Sequence, residues 1–558
     1  MIQNRDCIES ASGTTCAAAE SIPLRMNPGT LQQTRFNTDK DTRDCRSRVR
    51  GRRIDPFARR ETRRAAFDCA PGARRTHVRI GRGLRFFGLG RCFCYSHGLH
   101  AIPECRTVIA QHALVLNLHQ PAGNLEELLD NQSWEAKEIL FALDRIPRSL
   151  WGHEDLARVH LSLSGTLLET LSNPEFQKRV YGTVDCGSLL WHFQNEKLFE
   201  VLGTGYYHPV LPLIPEADRE EQLRRWLGIA HHLLWRPRFQ GFWPPEMGFS
   251  MELIPLLRAF GYRYVMVDSE HVEPISPMSW QELRYRPHIA RFGGEAITVI
   301  VRDRDLSDAQ ESGMELDWFL AEVAERTKWC DFTPLVTTCT DGENGGWFRN
   351  VTEGANFWSA FYLPLLERVA AGEAAIAPTF ISRYLDTYGA HGEVRVRTGA
   401  WNTGWHHGRD FTQWTGSERQ KQAIDAFVKA SRTVHDARWY ATERGVCEGP
   451  EAEAIEEAMW RLLRAETSCH LYWGEAWVPR AEADLAASRA ALARIGIRPE
   501  PAEAVARAPE SESKPESAFV PLSGTDATDI RTEAAGDDPP SPEPDGPAVS
   551  ETPAPKSS

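Results

Sequence analysis

Short apolar runs alternate with helical stretches through the middle of the chain, from about residue 109 to residue 498. Each run is four to six residues long, rich in Val, Ile, Leu and Thr, and bounded by polar positions. Runs of this kind predict buried strands, and strands that alternate with helices predict a parallel sheet linked by crossover helices. The runs occupy residues 113–118, 159–164, 264–267, 297–301 and 333–338.

Polar residues lie at or just beyond the ends of several of these runs. They are His119, Asp268, Arg302, Asp303 and Asp341. In a barrel of parallel strands the active site forms at the C-terminal ends of the strands. Polar side chains at these ends are therefore better catalytic candidates than polar side chains elsewhere.

A helical pattern without intervening strands follows beyond about residue 415, and it includes residues 417–442 and 451–466. The sequence thus predicts an α/β fold with two folded parts. We expect a catalytic (β/α) barrel over residues 109–410 and a helical C-terminal domain over residues 411–498.

The two ends of the chain differ from this body in composition. Residues 499–558 are rich in Pro, Glu, Ser and Asp, which predicts a disordered tail. Residues 1–108 carry many arginine pairs and have three interpretations: a disordered basic extension, a start codon placed too far upstream, or a small metal or nucleic-acid module. The module would depend on Cys92, Cys94, His97, His100 and Cys105. Their spacing matches no standard zinc pattern, so we predict no metal site.

Composition favours a neutral ligand. The formal net charge of -13 indicates that the main domain does not bind nucleic acid, and the 18 tryptophans suit stacking on sugar rings. Seven of the 12 cysteines precede residue 106 and the others lack paired spacing, which indicates free thiols in a reducing compartment. Without a signal peptide or a long apolar run, we expect a soluble cytoplasmic protein that needs no membrane and no cofactor.

One carboxylate stands in an unusual local context. Within residues 241–250, Pro244 and Pro245 fix the backbone and exclude a helix just before Glu246, while Trp243 would shield the site from water. A rigid carboxylate beside aromatic rings is a candidate nucleophile for glycoside cleavage, which needs two carboxyl groups when configuration is retained. The alternative is an ordinary glutamate in the first turn of a helix.

A second carboxylate context follows the run at residues 333–338. Alternation along a continued strand would place Asp341 and Glu343 on the same side, and the glycines that follow permit close approach of a ligand. A surface turn or a calcium-binding loop would have the same composition. The segment therefore supplies a candidate acid but does not identify it alone.

Other candidates are weaker by themselves. His119 and Gln120, at the end of the first strand, could hydrogen-bond sugar hydroxyls, although a single histidine there is more often structural. His208 lies in a Gly-Tyr-Tyr-His-Pro segment, and Trp401 and Trp414 bracket a loop near the end of the predicted barrel.

Taken in order, these segments resemble the five motifs of glycoside hydrolase family 57. The family includes α-amylases, 4-α-glucanotransferases, amylopullulanases and glycogen branching enzymes. The matching segments are residues 119–121, 205–213, 243–246, 341–347 and 401–414. The resemblance implies a distorted seven-fold (β/α) barrel with a helical C-terminal domain, Glu246 as nucleophile and Asp341 as general acid/base. The candidate substrate-binding residues are His119, Gln120, His208, Trp243, Asp268, Glu343, Trp347, Trp401, Asp410 and Trp414.

The resemblance further implies a retaining hydrolase or glycosyltransferase that acts on α-1,4-linked glucans or maltooligosaccharides. Two departures leave the individual activity open: Asn117 stands where the first motif often has a histidine, and residues 405–408 are inserted in the fifth. Two other classes remain as alternatives. They are a metal-dependent mannosidase or deacetylase of related barrel fold, for which His119 has no aspartate two residues away, and a glucan-binding protein without activity.

Overall fold

The residues described by the computed structural model are 110–352, 354–401 and 410–497. The predictions made above for residues 1–108 and 499–558, and for the insertion at 405–408, lie outside the described residues.

Strands come from most parts of the chain before residue 397. In chain order they are β1 Ala110–Leu118, β2 Val159–Leu163, β3 Phe199–Leu202, β4 Gly241–Phe242, β5 Tyr264–Asp268, β6 Val272–Pro274, β7 His288–Phe292, β8 Glu295–Arg302, β9 Leu335–Asp341, β10 Ile376–Pro378 and β11 Val394–Val396. The five predicted runs overlap β1, β2, β5, β8 and β9, which confirms them as strands within a few residues at their ends.

Seven of these strands form a closed parallel ring. Pairing runs in the order β9, β1, β2, β3 and again in the order β4, β5, β8. A parallel bridge between Gly203 and Phe242 joins β3 to β4, and the Asp303 amide donates to the Thr337 carbonyl at 2.9 Å between β8 and β9. Because two of the seven junctions are this thin, the predicted (β/α)7 barrel is confirmed and is distorted.

Helices flank the ring, and those that follow the last strand have no strands between them. They are α1 Asn124–Asn131, α2 Ser133–Leu150, α3 Gly165–Ser172, α4 Pro174–Val180, α5 Cys186–Phe193, α6 Glu216–Leu234, α7 Ile254–Ala259, α8 Trp280–Tyr285, α9 Arg304–Ser312, α10 Leu316–Thr327, α11 Gly346–Arg349, α12 Leu363–Ala371, α13 Ile381–Tyr388, α14 Thr412–Thr415, α15 Glu418–Glu443, α16 Pro450–Ala465, α17 Ser468–Tyr472 and α18 Val478–Ala493. The two predicted helical stretches correspond to α15 and α16. A helical region therefore follows the barrel, as predicted.

Alternation along β1 divides the apolar core into two layers. Leu114 and Leu116 pack outward against the surrounding helices, while Ala113 and Val115 pack inside the ring with Trp243 and other buried residues. The same alternation directs Asn117 toward the interior, at the C-terminal end of the strand, where a barrel places its chemistry.

A buried polar cluster joins α6 to the helical region. Asp218 and Glu466 are both enclosed and their carboxyl groups share a hydrogen bond. His435 on α15 lies 2.7 Å from Asp218, and the Gln222 amide donates to Glu466 at 3.3 Å. Burial raises the pKa of Glu466 well above its ordinary value, and the charge of Asp218 adds to this. Glu466 therefore carries the shared proton.

Replacing Glu466 with glutamine is expected to flatten the dependence of stability on pH. A carboxyl group whose pKa is raised by folding stabilises the native state below its unfolded pKa of 4.5, and this contribution is lost as the pH rises toward the folded value. Glutamine keeps a donor for Asp218 and has no proton to lose. We expect a melting temperature at pH 8 about 2–4 °C above that of the unmodified protein. Thermal unfolding from pH 4 to 8 measures this, with the exposed Glu453→Gln on α16, the helix that ends just before Glu466, as control; identical pH profiles would contradict it.

Candidate active site

Glu246 is held in a backbone conformation that glutamate rarely adopts. After β4 ends, Pro244 and Pro245 lead into a short 3-10 turn in which Glu246 has φ 57° and Met247 has φ 49°. Left-handed geometry is costly for residues other than glycine, and it persists where the surroundings enforce it, as at functional sites. Here the Trp401 amide fixes the Glu246 carbonyl with a 3.0 Å hydrogen bond.

Both carboxylate oxygens of Glu246 accept a hydrogen bond. The Ser468 hydroxyl donates to Oε1 at 2.7 Å, and the Trp401 indole donates to Oε2 at 2.9 Å. Burial raises the pKa of Glu246, while these two donors act in the opposite direction. The two donors thereby orient the carboxylate and offset part of the effect of burial on its pKa.

Asp341 ends β9 in register with Asn117 of the neighbouring β1. The Asn117 amide donates to Asp341 at 2.9 Å, so the residue that departs from the first motif holds the candidate acid. Burial raises the pKa of Asp341 to about 7 against this hydrogen bond, and the charges of Glu311 and Glu246 raise it as well. Asp341 thus holds its proton near neutral pH and lies close enough to Glu246 to sense its charge.

Glu343 is a buried residue that contacts the first motif. It is fully buried, and it accepts a 2.8 Å hydrogen bond from the His119 amide and a 3.3 Å hydrogen bond from the Gln120 side chain. Burial raises the pKa of Glu343 to about 8, and the charge of Asp341 contributes in the same direction. These contacts fix the loop that carries His119 relative to Asp341.

His119 and His208 stack on each other, with ring centroids 4.1 Å apart and planes 9° apart. Burial lowers the pKa of His119 to about 3 and that of His208 far below its ordinary value, so both rings are neutral at pH 7. His119 Nδ1 and His208 Nε2 have no hydrogen-bond partner within the described part of the chain. Neutral imidazole nitrogens of this kind can bind sugar hydroxyls.

The helical region contributes two residues that sequence reasoning missed. Ser468 Oγ lies 3.2 Å from His208 Nδ1 as well as bonding Glu246, and Cys469 Sγ lies 3.5 Å from His119 Nε2. Because the single hydroxyl proton of Ser468 goes to Glu246, His208 Nδ1 must carry the proton of the other bond. An antiparallel bridge between Pro209 and Thr467 aligns the two segments.

Trp243 and Trp401 form a wall beside Glu246, in an edge-to-face contact with centroids 5.4 Å apart. Asp268 supports this wall at a distance. It is buried in ion pairs with Arg302 at 2.8 Å and Arg304 at 3.0 Å, and Arg304 donates to the Trp401 carbonyl at 2.6 Å. We therefore interpret Asp268 as a residue that positions Trp401.

The three remaining candidate residues, Trp347, Trp414 and Asp410, make contacts of other kinds. Trp347 packs edge-to-face on Phe357 at 5.4 Å, and Trp414 is enclosed in the core against Tyr472 at 6.0 Å. Asp410 is exposed and accepts a 2.8 Å hydrogen bond from the Thr412 amide at the start of α14. The two tryptophans are thus held by packing contacts, and Asp410 makes a local hydrogen bond two residues along the chain.

Two of the three carboxyl groups of the site, those of Glu246 and Asp341, lie in different environments. One is fixed by two donors, and the other holds a proton near neutral pH, which is the difference that a nucleophile and an acid require. Across the described ranges, no three His, Cys, Asp or Glu side chains are grouped as around a metal ion. No helix among the described residues is long and apolar enough to span a membrane.

The sequence also matches a known family model. The model for glycosyl hydrolase family 57 matches residues 113–392, half of the chain. An α-amylase of Pyrococcus horikoshii is 30% identical over 191 residues, 34% of this chain and 27% of that protein. A 4-alpha-glucanotransferase of Thermococcus kodakarensis is likewise 30% identical over 191 residues, 34% of this chain and 26% of that protein. The chain thus spans about a quarter of the length of these relatives.

Solved structures extend the fold comparison beyond the barrel. The crystal structure of a branching enzyme from Thermococcus kodakaraensis aligns with a TM-score of 0.55 at 14% identity, covering 68% of this chain and 89% of that one. At this identity the likeness concerns the fold alone.

Proposed function

Because this chain belongs to glycosyl hydrolase family 57, we propose that it cleaves or transfers α-1,4-linked glucans by double displacement, with retention of configuration. The observation that carries the proposal is the pairing of Glu246, bonded by two donors, with Asp341, whose pKa is raised to about 7. The substrate is an α-glucan chain or a maltooligosaccharide.

In the first step Glu246 attacks the anomeric carbon and the Asp341 proton moves to the departing glycosidic oxygen. The C–O bond to the leaving sugar breaks as the bond to Glu246 forms. In the second step Asp341, now ionised, takes a proton from water or from a sugar hydroxyl, which displaces Glu246. Retention needs carboxyl groups about 5 to 5.5 Å apart, and the influence of Glu246 on the pKa of Asp341 supports neighbouring positions.

The remaining residues bind and orient the sugar. We assign His119 and His208 to sugar hydroxyls, since each keeps a ring nitrogen without a partner among the described residues. Glu343 holds the first motif, and the Trp243 and Trp401 wall limits access of water to Glu246. We also propose that residues 411–498 form a domain that completes the barrel at 109–410 by supplying Ser468.

Incubation of the full chain with maltooligosaccharides and amylose, followed by product analysis, tests the activity. Shorter glucans indicate hydrolysis, while a mixture of longer and shorter products indicates transfer. The proposal fails if no α-glucan is converted, and release of acetate from an acetylated glycan supplied in parallel, or activity lost to a chelator, would favour the metal-dependent class instead.

Replacing Ser468 with alanine is expected to shift the acidic limb of the pH profile. Loss of one donor raises the pKa of Glu246 further, so the nucleophile becomes ionised only at higher pH. Hydrogen bonds to charged groups are worth about 1.5–3 kcal/mol, so kcat/KM on the acidic limb should fall by about tenfold or more. The profile of kcat/KM against pH measures this.

Two comparisons isolate the hydroxyl. Ser468→Thr restores the donor and should recover most of the activity. Ser488→Ala removes a buried serine of α18 that donates to the Ala458 carbonyl at 2.8 Å, and it should leave the acidic limb in place. An acidic limb unchanged in Ser468→Ala would show that the hydroxyl does not act on Glu246.

A further inference from the structure

A row of three aromatic rings leaves the site along the helical region. Tyr472 ends α17, Trp473 follows it with centroids 5.0 Å apart, and Trp477 lies 6.3 Å beyond Trp473. Trp473 is 55% exposed, although an indole of this size is usually enclosed. The row is carried by the short turn Gly474–Ala476 between α17 and α18.

The inner end of the row belongs to the helix that contacts Glu246. Burial raises the pKa of Tyr472, and the charges of Glu246 and Asp341 raise it further. Tyr472 also belongs to the same helix as Ser468 and Cys469, which contact Glu246 and His119. The row is therefore continuous with the proposed site of bond cleavage.

The outer end of the row adjoins a cavity of about 300 Å³. Its lining includes Ala122, which lies three residues beyond His119, together with Tyr207, His470 and Arg480. The Arg480 guanidinium lies over the Trp477 ring, 4.1 Å from its centroid, and joins row and cavity. This volume is at the lower end of the range for small-ligand sites.

The charged groups of the cavity are already compensated. Arg464 donates to Asp484 at 2.8 Å in a two-point ion pair, and Arg480 pairs with Glu127 at 3.3 Å. Burial lowers the pKa of His470 to about 4, which leaves that ring neutral at pH 7. Because these charges are paired, the lining offers no unpaired positive charge to an anion. It suits a neutral ligand whose hydroxyls hydrogen-bond to planar polar side chains.

We propose that Tyr472, Trp473 and Trp477, together with this cavity, form a track for a neutral α-glucan chain that extends away from the cleaved bond. The track rests on the proposed function, because its inner end is the Glu246 and Asp341 site. Sugar rings stack on the exposed indole, and the polar lining of the cavity bonds the chain beyond it. The track makes binding depend on chain length, so long glucans bind more tightly than short ones.

Calorimetric titration of maltoheptaose and maltotriose into full-length Glu246→Gln protein tests the track without turnover. Adding Trp473→Ala to this protein should weaken the binding of maltoheptaose about three- to tenfold and leave the binding of maltotriose unchanged. The matched control is Trp439→Ala on α15, an indole 57% exposed whose ring contact is with Tyr440. A second variant, Ala483→Leu, narrows the cavity from an exposed helical position and should also weaken only the longer ligand.

The outcomes separate this inference from the proposed function. The track is wrong if Trp473→Ala and Ala483→Leu leave the affinity for maltoheptaose unchanged, or lower the affinities for both ligands equally. This holds even if the unmodified protein converts glucans. An equal loss in Trp439→Ala would also overturn it. Failure of the unmodified protein to convert any α-glucan overturns the proposed function, whereas selective loss of the longer ligand in the Trp473 variant still supports a glucan track.

Discussion

Glu246→Gln is expected to lower turnover of every accepted α-glucan by about 10³-fold or more, since a neutral amide cannot form the glycosyl ester. The substitution preserves the shape of the side chain, and the amide oxygen can still accept the Trp401 indole hydrogen bond. Folding should therefore be unaffected. Initial rates on maltooligosaccharides, with circular dichroism as a check of the fold, measure the effect.

Glu200→Gln is the matched control for this loss. Glu200 also lies in the barrel, its side chain has the same 11% exposure as that of Glu246, and it accepts a 2.6 Å hydrogen bond from Tyr264. It should keep near-normal turnover because it is outside the reacting pair. Near-normal activity in Glu246→Gln would show that the nucleophile is another residue.

Asp341→Asn is expected to show a loss that depends on the leaving group. Natural glucans need a proton on the departing oxygen, so their turnover should fall by about 10²- to 10⁴-fold. The fluoride ion of a glucosyl fluoride leaves without that proton. Formation of the glycosyl-enzyme from this substrate should therefore be much less affected. Comparison of the two substrate types in the same variant measures the role of the acid.

The pH profile gives a second measure of Asp341. The acid must be protonated in the first step, and its pKa is raised to about 7, so activity of the unmodified protein should fall as the pH rises through that value. An asparagine side chain cannot titrate, so the Asp341→Asn variant should lack this basic limb. Equal losses on both substrate types with the basic limb intact would assign the acid to a different group.

Strand patterning predicts most of the barrel but not its weakest members. β1 and β9 are continuous apolar runs and are evident from the sequence, because they are buried on both faces. β3 escapes prediction because Glu200 interrupts it, and β4 because it is only Gly241–Phe242. A strand of two residues has no periodicity, and its place in the ring depends on pairing with β5 and the bridge from Gly203.

The candidate site shows a similar limit. Glu246 and Asp341 could be proposed from local context, since paired prolines and a strand end followed by glycines are visible in sequence. Ser468 could not, because it lies 222 residues from Glu246 along the chain and sits in an ordinary helical pattern. Its contact exists only because the helical region packs over the barrel mouth, which local sequence does not encode.

Asn117 shows how a departure from a motif acquires meaning in three dimensions. In the sequence it replaces an expected histidine and obscures the first motif. In the structure it lies opposite Asp341 in the β1–β9 register and donates to its carboxyl group. Asp268 is the opposite case. The sequence suggests it as a substrate-binding residue, but its ion pairs with Arg302 and Arg304 account for its burial without a sugar ligand.

The most direct test of the account is the identity of the residue that becomes covalently glycosylated. A 5-fluoro-α-glucosyl fluoride accumulates the intermediate of a retaining enzyme, because the ring fluorine slows both steps while the fluoride leaving group restores the rate of formation alone. Peptide mass spectrometry of the treated protein should find a single fluoroglucosyl group, attached to Glu246. A label on any other residue, or turnover of α-glucans with inverted configuration and no label, would contradict double displacement through Glu246.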